Sequence, residues 1–111
     1  MIHDTDKLTT PCYVYDMQRL DDTLAHIKSE MCGHDNYHLH YAIKANTNPA
    51  VLQRIAEAGF GADCVSGGEI KAALAAGFPA GSISYAGVGK ADWEIRLALE
   101  ADIECFNVES I

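Results

Sequence analysis

No apolar run in this chain approaches the ~20 residues that a membrane-spanning helix needs. The opening stretch, MIHDTDKLTTP, is polar and acidic and has no apolar segment of the signal-peptide kind. Positive charge is also scarce. Lys plus Arg total 8 against 16 Asp plus Glu, for a net charge of −8. That balance, with no basic cluster, excludes a nucleic-acid surface. The four cysteines, Cys12, Cys32, Cys64 and Cys105, contain no C-x-x-C pair, so neither a zinc site nor a disulfide framework is indicated. Cys64 and Cys105 fall in apolar runs and read as buried reduced thiols. A membrane partner is not expected, and the location expected is cytoplasmic.

What is present is an alternation of strand and helix patterns. CYVYD (12–16) reads as a strand, and Asp16 as the N-cap of a helix carrying Leu20, Leu24, Ile27 and Met31 at helical spacing, with Gly33 as a stop. YHLHYAIK (37–44) is the next strand. Asn48 and Pro49 open a helix as N-cap and first-turn proline, and Gly59 ends it. GADCV (61–65) is followed by Ser66 and Glu69 in capping-box spacing, then by Ile70, Ala73 and Leu74, with Gly77 and Pro79 as the stop. SISYA (82–86) precedes a helix starting near Ala91 or Asp92. Its packing candidates are Trp93, Ile95, Leu97, Ala98 and Leu99, and IECFNV (103–108) follows as a strand.

Strands recurring every 21 to 24 residues with a helix in each gap predict right-handed βαβ units and a parallel sheet. Four such strands make half of a (β/α)8 barrel, whose full length is ~250 residues. An open doubly wound α/β sheet is the alternative that suits this length. Glu109 and Ser110 look like the entry to another helix, so the expectation is a barrel truncated after its fourth strand.

Lys44 stands out in HYAIKAN. Lysine is uncommon within strands, and α/β folds place their sites at the carboxyl ends of strands. A desolvated amine there is a nucleophile toward an aldehyde, and small Ala42 two residues below leaves room for a flat ring. The plain alternative is a lysine emerging into solvent. Asp63 ends the next strand and could pair with a cofactor or orient a lysine, or simply precede a helix. The Ser66–Glu69 turn could hold an anion on its N–H groups, although a helix cap explains it as well. GVGK (87–90) fails both as a P-loop and as a dinucleotide fingerprint, since Ser84, Ala91 and Asp92 occupy the wrong places. His38 and His40 share a strand face but have no evident third ligand, so no metal site is assigned. Asn107 and Glu109 end the last strand and could line a site.

Taken in order, TPCYVYD, HYAIKANTNPAVL, GADCVSGGEI, AGFP, YAGVGK and CFNVES resemble the amino-terminal part of the diaminopimelate decarboxylases. These are pyridoxal-phosphate enzymes with an alanine-racemase-like barrel. The resemblance runs the length of the chain. It implies that Lys44 holds pyridoxal 5'-phosphate covalently as the catalytic lysine, with Asp63 beside the cofactor, and the strand alternation adds Ala42 as a cofactor neighbour. It implies two regions: residues 1–16, a lead-in and strand of a separate β-domain, and residues 17–111, a partial (β/α) barrel. It implies an enzyme, a homodimer at full length, that decarboxylates meso-2,6-diaminopimelate to L-lysine. A related amino-acid decarboxylase or racemase, or a non-catalytic pyridoxal-phosphate carrier, remains an alternative. The remaining site residues of that family fall beyond Ile111, so the 111 residues alone are expected to be inactive.

Overall fold

The computed structural model describes residues 4–44 and 46–111. Its elements are α1 (Met17–Glu30), β1 (His40–Ala42), α2 (Pro49–Glu57), β2 (Gly61–Cys64), α3 (Gly67–Ala76), β3 (Ile83–Tyr85), α4 (Asp92–Ala101) and β4 (Cys105–Phe106), with short 3-10 turns at Thr5–Lys7 and Ala80–Ser82.

The four strands form one parallel sheet in the order β1-β2-β3-β4. That order never reverses, which separates the two folds open at the sequence level. A doubly wound sheet has a switch point where the order turns back. Here right-handed crossovers stepping in one direction lay every helix on the same face. Accordingly α2 packs on α3 and on α1, and α3 packs on α4. The arrangement is that of consecutive units of a (β/α)8 barrel.

Local sequence explains the helix boundaries. The Asp16 carboxylate accepts the Arg19 N–H at 3.0 Å. Asn48 Oδ1 accepts the N–H groups of Ala50 and Val51 just ahead of Pro49. Gly77 ends α3 in the left-handed region at φ 100°, which costs glycine little. The core lies between sheet and helices. Ile43, Ala62, Cys64, Ile83 and Tyr85 meet Leu52, Ile55, Ile70, Ala73 and Ala98 there, all buried. Each large aliphatic side chain buried this way contributes about 1.5–3 kcal/mol.

Several expectations need correction. The strands are shorter than their apolar runs. Tyr37, His38 and Leu39 are exposed and precede β1, and β4 is only two residues long. Residues 12–16, expected as a strand of a separate β-domain, are not in a strand among the described residues. Tyr13 is 91% exposed, and no ladder partner is available among the described residues. A strand needs a neighbour to take its N–H and C=O groups, and alternation by itself does not provide one. In α4 Trp93 and Leu99 face solvent, 54% and 63% exposed, while Glu94 is buried. No helix among the described residues is long and apolar enough to cross a membrane.

Candidate functional site

The side chains of a parallel strand alternate between two faces. Tyr41, Ala62, Ile83 and their successors face the helices. The register therefore puts Ala42, Asp63, Ser84 and Cys105 side by side on the opposite, open face. This layer is made of small and polar residues, and Asp63 is its charged member. Ser84 Oγ donates to Asp63 Oδ1 at 3.3 Å, which leaves the other carboxylate oxygen available. Ala42 is exposed on this face and presents only a methyl group.

Lys44 follows at the carboxyl end of β1. The Ile43 N–H donates to the Asp63 carbonyl at 3.2 Å, so the backbone just before the lysine is tied to the neighbouring strand. The Asn46 N–H then donates back to the Ile43 carbonyl at 3.0 Å, turning the chain sharply at this point. Lys44 itself sits at φ 39°, in the left-handed region. A non-glycine residue held there costs about 1–3 kcal/mol, and such residues cluster at functional sites. Its side chain is exposed, not desolvated as the nucleophile reading expects, and forms no ion pair among the described residues. The sequence-predicted trio of Lys44, Asp63 and Ala42 thus lies on two adjacent strands at one end of the sheet.

The turn into α3 is differently employed. Ser66 Oγ accepts the Glu69 N–H at 3.2 Å, as a capping residue does. The Glu69 carboxylate reaches past Ser66 to take the Val65 N–H at 2.7 Å. Glu94 crosses from α4 and accepts the Gly67 N–H at 2.9 Å, while its second oxygen takes the Ala91 N–H at 2.9 Å. These bonds hold the Glu94 carboxyl below its ordinary range, the Gly67 bond contributing most. One carboxylate of this chain, Glu94, is therefore already seated on the first N–H of α3, and another, Glu69, on Val65 just ahead of it. A ligand phosphate would have to displace them. The Tyr85 hydroxyl, buried beside Glu94, has no well-formed hydrogen bond. Burial, followed by the Glu94 charge, pushes it up to about 12.

Lys90, the last residue of GVGK, has bonds that the failed phosphate-loop reading of that stretch does not reach. Its Nζ donates to the carbonyls of Gly87 and Asn107, the latter at 2.7 Å, and lies 3.6 Å from the Glu109 carboxylate. For Glu94 the available signal was an acid at the third position of a helix. That pattern usually means a solvated first-turn charge.

His40 is paired with an acid. It reaches across the open face to Glu104 at 2.7 Å, its ring lying over Gly61. No three metal-ligating side chains converge among the described residues. A cavity of about 540 Å³ opens near this pair, lined by His40, Gly61 and Glu104 at the amino ends of the strands. It is at the end opposite to Lys44, where barrel folds are built for stability rather than chemistry.

Comparison with known proteins adds to this geometry. Residues 17–111 match the family model described as pyridoxal-dependent decarboxylase, pyridoxal binding domain. The chain is 62% identical over 104 residues to the diaminopimelate decarboxylase of Bacteroides thetaiotaomicron, covering 94% of this chain and 27% of that protein. The crystal structure of Helicobacter pylori diaminopimelate decarboxylase complexed with L-lysine superposes with a TM-score of 0.84 at 39% identity, over 94% of this chain and 26% of that one. The lysine/ornithine decarboxylase of Vibrio vulnificus complexed with cadaverine gives a TM-score of 0.70 at 25% identity, over 84% of this chain and 25% of that one. The chain spans about a quarter of the length of the relatives it matches.

Proposed function

From the premise that this chain belongs to the pyridoxal-dependent decarboxylases, we propose that it supplies the lysine-bearing part of a diaminopimelate decarboxylase. The observation that carries this reading is Lys44, an amine without a counter-ion among the described residues, held in a left-handed turn directly after β1. The greater identity to diaminopimelate decarboxylases than to the lysine/ornithine enzyme favours that substrate.

The residues fit pyridoxal 5'-phosphate in kind. Lys44 offers a nucleophilic Nζ for the aldehyde, Ala42 offers a surface without bulk, and Asp63 offers one carboxylate oxygen not engaged by Ser84. When bound, the cofactor supplies an electron-withdrawing ring that takes up the electron pair left as CO₂ departs. Lys44 would hold the cofactor through its Nζ, at the end of the sheet where Ala42 and Asp63 lie on the open face. Asp63 orients the polar groups beside Lys44. The reaction is removal of the carboxylate from the D-configured centre of meso-2,6-diaminopimelate, giving L-lysine.

In this reading residues 17–111 are the first units of the barrel, and residues 1–16 belong with a separate β-domain that gives CYVYD its ladder partners. The complete enzyme is a cytoplasmic homodimer acting on a small amino acid. Two experiments test the proposal. The chain is mixed with pyridoxal phosphate, reduced with borohydride, and mapped by mass spectrometry. Lys44 should carry the dominant adduct, and equal labelling of Lys7, Lys28, Lys71 and Lys90 would sink the assignment. The complete polypeptide should release CO₂ from meso-diaminopimelate in preference to ornithine, arginine or lysine, and a preference for any of those three would redirect the substrate.

A further inference from the structure

We propose that Lys90 is a positioning residue of this site, and that it acts by fixing Asn107 as a hydrogen-bonding residue for the bound cofactor. The proposal rests on the reading of Lys44 given above.

Lysine is among the residues least often buried, yet the Lys90 side chain is only 12% exposed. Its ammonium has three N–H donors and three neighbouring acceptors: the carbonyl of Gly87, the carbonyl of Asn107 and the carboxylate of Glu109. It also lies 5.3 Å from the centre of the Tyr85 ring. One side chain thus joins the loop after β3 to the exit of β4.

The consequence falls on Asn107. Its N–H donates to the Tyr85 carbonyl at 2.9 Å, continuing the ladder beyond β4, and its C=O accepts from Lys90. Both of its backbone groups are therefore engaged. Phe106 packs toward Tyr85 on the helix side, with ring centres 5.8 Å apart. Strand alternation then gives Asn107 a register position on the open face, one step beyond Cys105, at the same end of the sheet as Lys44. Asn107 is exposed, and its side-chain amide makes no hydrogen bond among the described residues. An amide offers both a donor and an acceptor, so an anchored backbone presents it ready to meet a polar ligand without reordering.

The test uses the 111-residue chain with Lys90→Met, Lys90→Arg, Asn107→Ala and the Lys90→Met/Asn107→Ala pair. In the absence of ligand, NMR-detected exchange of the Asn107 N–H, which is bonded to Tyr85, should accelerate by roughly tenfold in Lys90→Met as the strand exit tied through the Asn107 carbonyl loosens, and recover in part in Lys90→Arg. The apparent affinity for pyridoxal phosphate is read from the concentration dependence of the borohydride-trapped Lys44 adduct. It should weaken to a similar extent in Lys90→Met and Asn107→Ala, and the double variant should be no weaker than either. Unchanged exchange in Lys90→Met overturns the clamp. Faster exchange with unchanged affinity, or additive losses in the double variant, overturns the positioning role. If the unsubstituted chain forms no preferential Lys44 adduct, the reading of the site fails, and with it the ligand assigned to Asn107. The exchange measurement would still decide whether the clamp exists.

Discussion

Glu94 and Gly67 are 27 positions apart and joined by a buried hydrogen bond of 2.9 Å, from the Gly67 N–H to a carboxylate oxygen of Glu94. The other oxygen takes the Ala91 N–H, so one side chain supplies the starts of two helices, α3 and α4. Each N–H would otherwise be among the unsatisfied groups that every helix carries at its first turn.

Glu94 should consequently tie stability to pH. Its carboxyl is held below the ordinary value of 4.5, so the folded state favours the ionised form. That contribution is complete above the unfolded-state value and is lost as pH falls through the folded-state one. Glu94→Gln should lower the urea midpoint at pH 7, and the gap to the parent should narrow below about pH 4.5. A constant gap from pH 7 to pH 3 would contradict this role.

Gly67 faces a second constraint. A methyl group there would lie 2.6 Å from two atoms of the Trp93 ring and 3.0 Å from Glu94 Cγ. The indole is half-exposed and can swing outward. Gly67→Ala should cost about 1–3 kcal/mol, the usual penalty for overpacking. Most of that cost should vanish in a Trp93→Ala background, as chemical denaturation of the four members of the cycle will reveal. A full penalty without the indole would place the constraint elsewhere.

Gly61 offers the contrasting case. A Cβ there meets the His40 ring at 2.6 Å and the Ser82 carbonyl oxygen at 2.6 Å. A side chain can yield, but the Ser82 backbone, which leads directly into β3, cannot without disturbing the ladder. Gly61→Ala should therefore be as damaging as Gly67→Ala or more so, and His40→Ala should not rescue it. Recovery of the parent melting temperature in the double variant would show that only the imidazole is in the way.

The thiols divide by environment. Burial, and then the nearby charges of Glu69 and Asp63, pushes Cys64 up to about 12. Cys12 and Cys32 are exposed, and so is Cys105, against the burial its apolar run suggests, because β4 is short and Cys105 lies on the open face. At pH 8 an aromatic disulfide reagent should titrate three thiols promptly and the fourth only on unfolding, because the thiolate is the reactive species. Four prompt thiols would mean that β2 opens readily.

Much of this fold is written locally. Asp16, Asn48 with Pro49, Ser66 and Gly77 act where their residue types predict, because caps and stops involve neighbours in sequence. The order β1-β2-β3-β4 was not determined in that way, since the same βα rhythm serves a barrel and a doubly wound sheet alike. Strand lengths were overestimated for a related reason. Apolar alternation extends through Tyr37–Leu39 and 12–16, but ladders exist only where a partner strand lies alongside. Lys44, Asp63 and Ala42 could be named from position and resemblance. Glu94 and Lys90 could not, because their partners Gly67 and Asn107 are 27 and 17 residues away. Ser84 was noted only as a mismatch to a phosphate loop, and its bond to Asp63 follows from strand register.

The carboxylates seated at the start of α3 also bear on ligand discrimination. A protein that fills its own anion seat, and carries eight excess negative charges, draws no selectivity for a phosphorylated ligand from that turn. In the reading proposed above, these residues recognise an aldehyde on a flat ring. Pyridoxal should thus compete with pyridoxal phosphate for Lys44 on nearly equal terms in this chain, and preference for the phosphate ester must come from groups other than the α3 turn.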